Sequence, residues 1–293
     1  MNHFCHPPFQ VALPGIRFVL PLHWEITGYE YDTEQGRFAF SDPSGPAGQY
    51  SFRSVPADPD MERIWEEIHR RHRESAAVIP LRFERLHSGI LLATAEKGER
   101  FYASFYEKER KRLHEWIFSA YTPERETEAR LLLKSVNANA PDEKGYSFYA
   151  LFGLEAWLPA GFELTEIRPY PTDVTLEFEN RKHHRIVLSR IGMAAFQLQN
   201  DTLSRFYQER LVRKKYVVKK LGERTAGMLK LASHEFRVRG RFGFDALLGP
   251  WWKGVGEALL LPESNRICCF EHIAPARIAE REKFENIFRS RLP

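Results

Sequence analysis

The sequence predicts an α+β protein built from two diverged copies of one unit. Three observations support this prediction. An octet of residues recurs 138 positions later, each octet is followed by a similar succession of strand-like and helical patterns, and each half closes with a helical run that begins at a proline. The first repeat is predicted over residues 1–140 and the second over 146–293, joined by the polar, turn-rich linker Asn137–Gly145.

The recurring octet has the pattern L-P-x-x-aromatic-E-aliphatic-T. Its two copies are Leu20–Thr27 and Leu158–Thr165, with four identical and two conservative positions. A match this short could arise by chance, but the order of predicted elements after each copy is also shared. That shared order is what predicts a repeat.

Alternating apolar and polar residues predict strands, and apolar spacing of three and four predicts helices. In the first half, strands are predicted over 36–41, 49–55, 81–86, 89–95, 100–108 and 111–121, with helices over 58–72 and 123–136. In the second half, strands are predicted over 173–179, 185–191, 216–221, 228–237, 254–261 and 266–273, with helices over 201–215 and 275–291. Asp58 and Asp201 are the predicted N-caps of the first helix in each half. Pro262–Asn265 is predicted as a hairpin turn.

The order of these elements resembles that of the Mog1/PsbP-like superfamily. The residues that carry the resemblance are Leu20, Pro21, Trp24 and Thr122-Pro123 in the first half, and Leu158, Pro159, Phe162 and Ala274-Pro275 in the second. The resemblance implies a curved antiparallel sheet flanked by helices in each repeat. It also implies a role in docking to other proteins, and it supplies no family active site.

Composition excludes several classes of protein. Cys5, Cys268 and Cys269 cannot form a disulfide framework, which fits a reducing compartment. The N-terminus lacks a signal-peptide pattern, and no stretch approaches the length of a membrane span. The expected location is therefore cytoplasmic, with no membrane association. No motif predicts a cofactor, and the H-x-C-H sequence at His3–His6 lacks the further ligands that a metal site needs.

A basic segment in the second half is the first candidate binding site. Residues 141–293 carry 25 Lys and Arg against 19 Asp and Glu. The site residues predicted in this segment are Arg213, Lys214, Lys215, Lys219 and Lys220. They could meet an acidic partner, or they could be cations that stabilise a helix C-terminus locally.

Trp251 and Trp252 are the second candidate binding site. They lie in a loop bounded by glycine and proline, where the first half has only the short Lys97-Gly98. The two rings could pack over the sheet, or they could anchor a partner, since tryptophan is enriched at interface hot spots.

Two hypotheses of function therefore stand. In the first, the chain is a non-enzymatic interaction or accessory protein that docks another protein, possibly an acidic one, through its second repeat. In the second, the chain is an enzyme with a pocket between the two repeats, where domain junctions often hold ligands. Nucleic-acid binding is not expected, because the total charge of +4 is small and no reader motif is present.

Overall fold

The computed structural model describes residues 10–71, 81–86, 89–95, 100–119, 122–170, 172–214, 216–226, 229–238 and 251–275. The chain divides into two compact units, Met1–Glu155 and Ala156–Pro293. The described strands form three antiparallel sheets, one of five strands and two of seven.

The first part of the chain supplies two sheets and two helices. In order, its elements are β1 (Gln10–Leu13), β2 (Gly15–Val19), β3 (Glu25–Tyr31), β4 (Gln35–Asp42), β5 (Gly45–Ser54), α1 (Met61–Arg71), β6 (Leu81–Arg85), β7 (Leu91–Ala95), β8 (Arg100–Glu107), β9 (Arg112–Ser119), α2 (Pro123–Ser135), β10 (Asn137–Asn139) and β11 (Tyr146–Leu151). The seven-stranded sheet has the order β3-β4-β5-β9-β8-β7-β6.

The second part of the chain supplies the other seven-stranded sheet. Its elements are β12 (Leu154–Pro159), β13 (Phe162–Pro169), β14 (Asp173–Asn180), β15 (Arg185–Gly192), α3 (Ala194–Gln197), α4 (Leu203–Arg213), β16 (Val217–Ala226), β17 (Leu229–Val238), β18 (Trp252–Leu261) and β19 (Arg266–Ala274). The sheet order is β13-β14-β15-β19-β18-β17-β16, and the five-stranded sheet has the order β10-β2-β1-β11-β12.

The two seven-stranded sheets have the same strand order, and the recurring octet occupies the same place in each. Its threonine is the extra residue of a β-bulge at the start of the first sheet strand, Thr27 in β3 and Thr165 in β13. The Thr165 hydroxyl donates to the Glu177 carbonyl oxygen at 3.1 Å. A bulge bends its strand, so the shared threonine lies where each edge strand departs from regular pairing.

The predicted fold class, an α+β arrangement of sheets flanked by helices, is wrong. The chain is mainly β, with a sandwich-like character. In the first unit, a strand of the five-stranded sheet covers the face of the seven-stranded sheet: the Phe18 ring in β2 lies 5.2 Å from the Tyr50 ring and 6.1 Å from the Trp116 ring. A second sheet thus contributes packing that the sequence prediction assigned to helices.

The strands β1 and β11 of the five-stranded sheet were missed because they do not alternate. Successive residues of β1 and β11 are buried on both faces: the last three residues of β1 and the last five of β11 are all buried. Strands buried on both sides give continuous apolar runs without a period of two. The segment predicted as a linker contributes β10, where Asn139 donates to the carbonyl oxygens of Leu13 and Phe148 at 2.8 and 2.6 Å.

The helices differ from their predictions mainly at their first residues. The side chain of Asp60, not Asp58, accepts from the Arg63 N–H before α1, and the Thr202 hydroxyl, not Asp201, accepts from the Arg205 N–H before α4. The helix predicted over 123–136 is confirmed as α2, capped by Thr122. Beyond Pro275, the closing helix predicted for the second half lies outside the described residues.

Candidate functional site

The candidate site of the second unit is built around α4, which packs mainly on β16, β17 and β18 at one end of the sheet. Tyr207 in α4 is fully buried, and its hydroxyl donates to the Phe270 carbonyl oxygen at 3.1 Å. A Cβ atom added at Gly256 in β18 would lie 2.2 Å from that hydroxyl oxygen. Because Gly256 has no side chain, the Tyr207 hydroxyl fits against the backbone of β18. This contact sets how closely α4 approaches the sheet.

Two ionisable residues flank Gly256 on the face that α4 covers. His234 in β17 is directly opposite Gly256, and Gly256 is directly opposite Glu271 in β19. Residues directly opposite each other in a sheet project to the same face, so His234 and Glu271 share this face with the glycine gap between them. The His234 ring is 2% exposed and lies edge-on to Tyr207, with 5.0 Å between ring centroids.

Lys214 neutralises the buried carboxylate. The Glu271 side chain is fully buried, and its Oε1 atom lies 2.5 Å from Nζ of Lys214, which is 24% exposed. The carboxylate is the next contributor after burial to the raised pKa of Tyr207. The sequence signal for this cluster is a charged residue within the otherwise apolar run Cys268–His272.

Further along α4, Arg210 forms a second ion pair with the sheet. Its Nη1 atom lies 2.7 Å from Oδ2 of Asp173, at the start of β14. Burial opposes the charge on Arg210, but the hydrogen bond with Asp173 and the nearby acidic groups raise its pKa above the usual value. Two ion pairs therefore join α4 and its C-terminal end to the sheet. Arg210 pairs with Asp173 of β14, and Lys214 pairs with Glu271 of β19.

Cys269 and His272, a thiol and an imidazole three residues apart in β19, do not form a catalytic pair. Cys269 belongs to the core beneath α4, and burial raises the pKa of its thiol to about 12. His272 instead lies beside His184, with 5.4 Å between ring centroids. Burial, followed by the neighbouring His184, lowers the pKa of His272 to about 4. At neutral pH the thiol is therefore protonated, and residues three apart in a strand project to opposite faces of the sheet, so the imidazole is not placed to activate it.

The predicted basic residues do not all face solvent together. Lys214 turns inward to Glu271, whereas the side chains of Arg213 and Lys219 are exposed. In the register of the sheet, Lys220 of β16 is opposite Glu235 of β17. Lys215 lies outside the described residues. Within the basic segment, Lys214 therefore points into the protein, whereas Arg213 and Lys219 point to solvent.

Exposed apolar side chains accompany the outward cations at the turn between α4 and β16. Val212 is 55% exposed and Val217 is 49% exposed. Between them, Tyr216 stacks on Phe236 of β17, with ring centroids 4.8 Å apart, which anchors the turn to the sheet. We call Val212, Arg213, Val217 and Lys219 the α4–β16 corner.

The predicted tryptophan site is divided between packing and partial exposure. Both Trp251 and Trp252 are half-buried. Trp252 begins β18 and packs against the core beneath α4, and the Arg185 guanidinium lies 5.9 Å from its ring centroid. The loop that precedes them lies outside the described residues.

The first unit has a cavity of about 240 Å³ at the N-terminal end of α1. Asp58, Glu62, Arg85, Ser104 and Tyr106 are among its lining residues. The two carboxylates and the arginine are solvent-exposed, and Glu62 lies 3.6 Å from Arg85. The buried Ser104 hydroxyl already accepts from the Trp65 indole N–H at 3.2 Å. None of the titratable lining residues is buried, so the cavity lacks a group with a desolvated charge.

The part of the chain that the structure describes contains neither a candidate membrane-spanning helix nor a candidate metal-binding cluster. There, no helix has the length and hydropathy needed to cross a membrane. The same residues contain no group of three or more His, Cys, Asp or Glu placed to hold a metal ion. His3, Cys5 and His6 lie outside the described ranges.

Comparisons with known proteins find no matching family model and no significant match among curated proteins. Two solved structures are similar over most of the chain. Both are of the immunity protein TplEi of the T6SS from Pseudomonas aeruginosa. The apo form is 10% identical with a TM-score of 0.34, and the complex with "L" peptide is 12% identical with a TM-score of 0.32. Each covers 98% of this chain and 93% of the other chain. Similarities at this level carry no conclusion about function.

Proposed function

We propose that this chain is a non-enzymatic protein-binding protein that docks an acidic partner through the α4–β16 corner of its second unit. The observation that carries the proposal is the exposure of two valines and two cations within eight residues of chain, from Val212 to Lys219. Arg213 has 83% of its side chain exposed, and its one described ion pair, with Glu209, is long at 3.9 Å. Exposed apolar side chains next to weakly paired cations are suited to a partner with complementary charge.

The residues beneath this corner support the proposal because they hold it in place. Tyr207 and the inward-facing Lys214 fix the last turns of α4 to the sheet, and Tyr216 fixes the start of β16. A preorganised surface loses less conformational entropy on binding than a mobile one. The buried ionisable groups therefore act in this proposal as supports, not as reacting groups.

The test is capture of partners from the native cell lysate by the full chain and by two charge-reversed variants. Arg213→Glu/Lys219→Glu changes the corner. Arg181→Glu/Lys182→Glu makes the same charge change at exposed positions in the β14–β15 turn, four strands away or roughly 19 Å. A specific partner should be lost from the first variant and kept by the second.

Stability measurements on both variants make the result interpretable. Both should unfold at the same denaturant concentration as the unmodified chain, because exposed charges contribute little to stability. A partner that binds both variants equally would remove the corner as the docking surface. A partner lost equally from both would indicate a general charge effect and would also contradict the proposal.

A further inference from the structure

The outer edge of β16 is the most extended edge of the second sheet. Its ten residues form the last strand in the order β13-β14-β15-β19-β18-β17-β16, and within the described ranges it pairs with β17 alone. The corresponding edge of the first sheet is β6, with five residues. An edge strand presents a row of backbone N–H and C=O groups on its outer side that another strand can pair with.

Most of β16 has the regular geometry that strand pairing requires. A bulge separates Val218 from Lys220, and Lys219 is its extra residue. From Lys220 to Ala226 the strand keeps an unbroken register with β17, ending opposite Leu229. A bulge and lysines at an edge disfavour pairing with another apolar strand. A seven-residue regular stretch still offers a template to a strand of suitable charge.

The charge of this edge selects an acidic segment. Lys219, Lys220 and Arg224 outnumber the single acidic residue of β16, Glu223. The opposite edge of the same sheet, β13, has the reverse balance, with Glu163 and Glu166 against Arg168. The two edges thus differ in sign, and an acidic segment would be attracted to one and repelled from the other.

We infer that the partner's docking segment is an extended acidic strand that pairs with the outer edge of β16 as an eighth strand of the sheet. The inference rests on the proposed function and specifies how the partner binds. Backbone hydrogen bonds align the segment along Lys220–Ala226, and the α4–β16 corner lies at the end of the strand where the added segment would emerge. The carboxylates of the segment complement the net positive charge of β16.

The probe is a fluorescent ten-residue peptide with alternating Val and Glu, titrated with the full chain and followed by fluorescence anisotropy. A peptide with Lys in place of every Glu is the charge control. The acidic peptide should bind at least about tenfold more tightly at ~50 mM salt and lose affinity by ~300 mM salt. Equal binding of the two peptides would overturn the inference.

N-methylated peptides separate backbone pairing from charge attraction alone. Methyl groups on alternate peptide nitrogens remove the donors along one side of the strand and leave the other side intact. One of the two methylation patterns should weaken binding by about tenfold or more, and the other should leave it nearly unchanged. If both patterns bind like the unmodified peptide, strand addition is excluded, while docking at the corner is still supported by its own charge-reversal test.

Two proline variants test the same contact from the protein side. Adjacent residues of an edge strand point their N–H groups in opposite directions, so Glu223→Pro and Arg224→Pro remove one inward and one outward donor. The outward substitution should leave the unfolding midpoint nearly unchanged and reduce peptide affinity severalfold, because proline is tolerated at edges whose N–H faces solvent. A folded outward variant that binds the acidic peptide normally would overturn the inference.

Discussion

The two seven-stranded sheets have the same strand order, but they differ in what lies under the helix that crosses each one. In the first unit, Trp65 of α1 donates its indole N–H to Ser104 of β8. In the second, Tyr207 of α4 sits over Gly256 of β18, at the equivalent place in the sheet. An indole–hydroxyl hydrogen bond holds the helix in one unit, and a hydroxyl–carbonyl hydrogen bond made over a glycine holds it in the other.

The cross-strand neighbours of these two positions differ in the same way. Leu91 and Ser104 are opposite each other in the first sheet, where the second sheet has His234 and Gly256. Glutamate occupies the next strand in both, as Glu115 and Glu271. Glu115 pairs with a half-exposed arginine of its own sheet, whereas Glu271 is fully buried and pairs with Lys214 at the end of the covering helix. The second unit thus fixes its helix with a charge that has no access to water.

The largest expected effect comes from removing the cation of that buried pair. Lys214→Met should lower the free energy of unfolding by ~3–5 kcal/mol, because it leaves the Glu271 carboxylate buried without a counter-charge. Chemical denaturation gives the magnitude, and hydrogen exchange of β19 peptides assigns the loss to the second unit.

The matched change in the first unit is Arg53→Met, which removes the partner of Glu115. Its expected cost is only about 0–1 kcal/mol, because 51% of the Arg53 side chain is exposed and the Glu115 carboxylate, 12% exposed, keeps contact with water. The double variant Lys214→Met/Glu271→Met should recover most of the stability lost in the single variant. Equal costs for Lys214→Met and Arg53→Met would remove the distinction between the two sheets.

A smaller effect is expected from pH, again larger in the second unit. The pKa of His272 is lowered from 6.5 to about 4, chiefly by burial. Between those values the unfolded chain takes up a proton that the folded chain does not, so stability falls as the pH drops. Over the full interval this one group accounts for about 3 kcal/mol.

His114 of the first unit provides the comparison. Burial lowers its pKa as well, but the hydrogen bond with Glu107 acts in the opposite direction and favours the charged ring. His272→Gln should therefore reduce the acid sensitivity of unfolding more than His114→Gln does. Denaturation of each variant at about pH 7.5 and about pH 4.5 measures the difference, and the reverse order would contradict it.

The strands of both seven-stranded sheets could largely be predicted from the sequence, either because they alternate or because, like β15 and β19, they are apolar runs of strand length. In β9 and β18, buried residues alternate with more exposed ones over much of the strand, which is the period of two that the prediction used. The five-stranded sheet could not be predicted in this way, because its strands have only three to six residues and two of them, β1 and β11, are buried on both faces. Without the five-stranded sheet, helices form a larger share of the predicted elements, which led to the wrong fold class.

The candidate site was less accessible to sequence reasoning than the fold. Lys214 was grouped with its basic neighbours, because the sequence does not give the side chain's direction at a helix end. The structure turns it inward to a residue 57 positions away. Arg213 and Lys219 could be identified as exposed cations by charge alone. The glycine gap at Gly256 could not, because a GxG sequence in a strand gives no indication of what packs against it.

The smallest of these effects tests that gap directly. Gly256→Ala should cost ~1–3 kcal/mol, because the new methyl group would lie 2.2 Å from the Tyr207 hydroxyl oxygen and α4 must shift. Gly28→Ala in β3 is the control, since its methyl group would make an ordinary 3.5 Å contact with the Ala39 Cβ atom. Adding Tyr207→Phe to Gly256→Ala should recover part of the loss, although the hydrogen bond to Phe270 is then absent. Additive costs in this double-mutant cycle would mean that the hydroxyl does not set the approach of α4, and the glycine would then be accommodating Phe236, whose ring is also close.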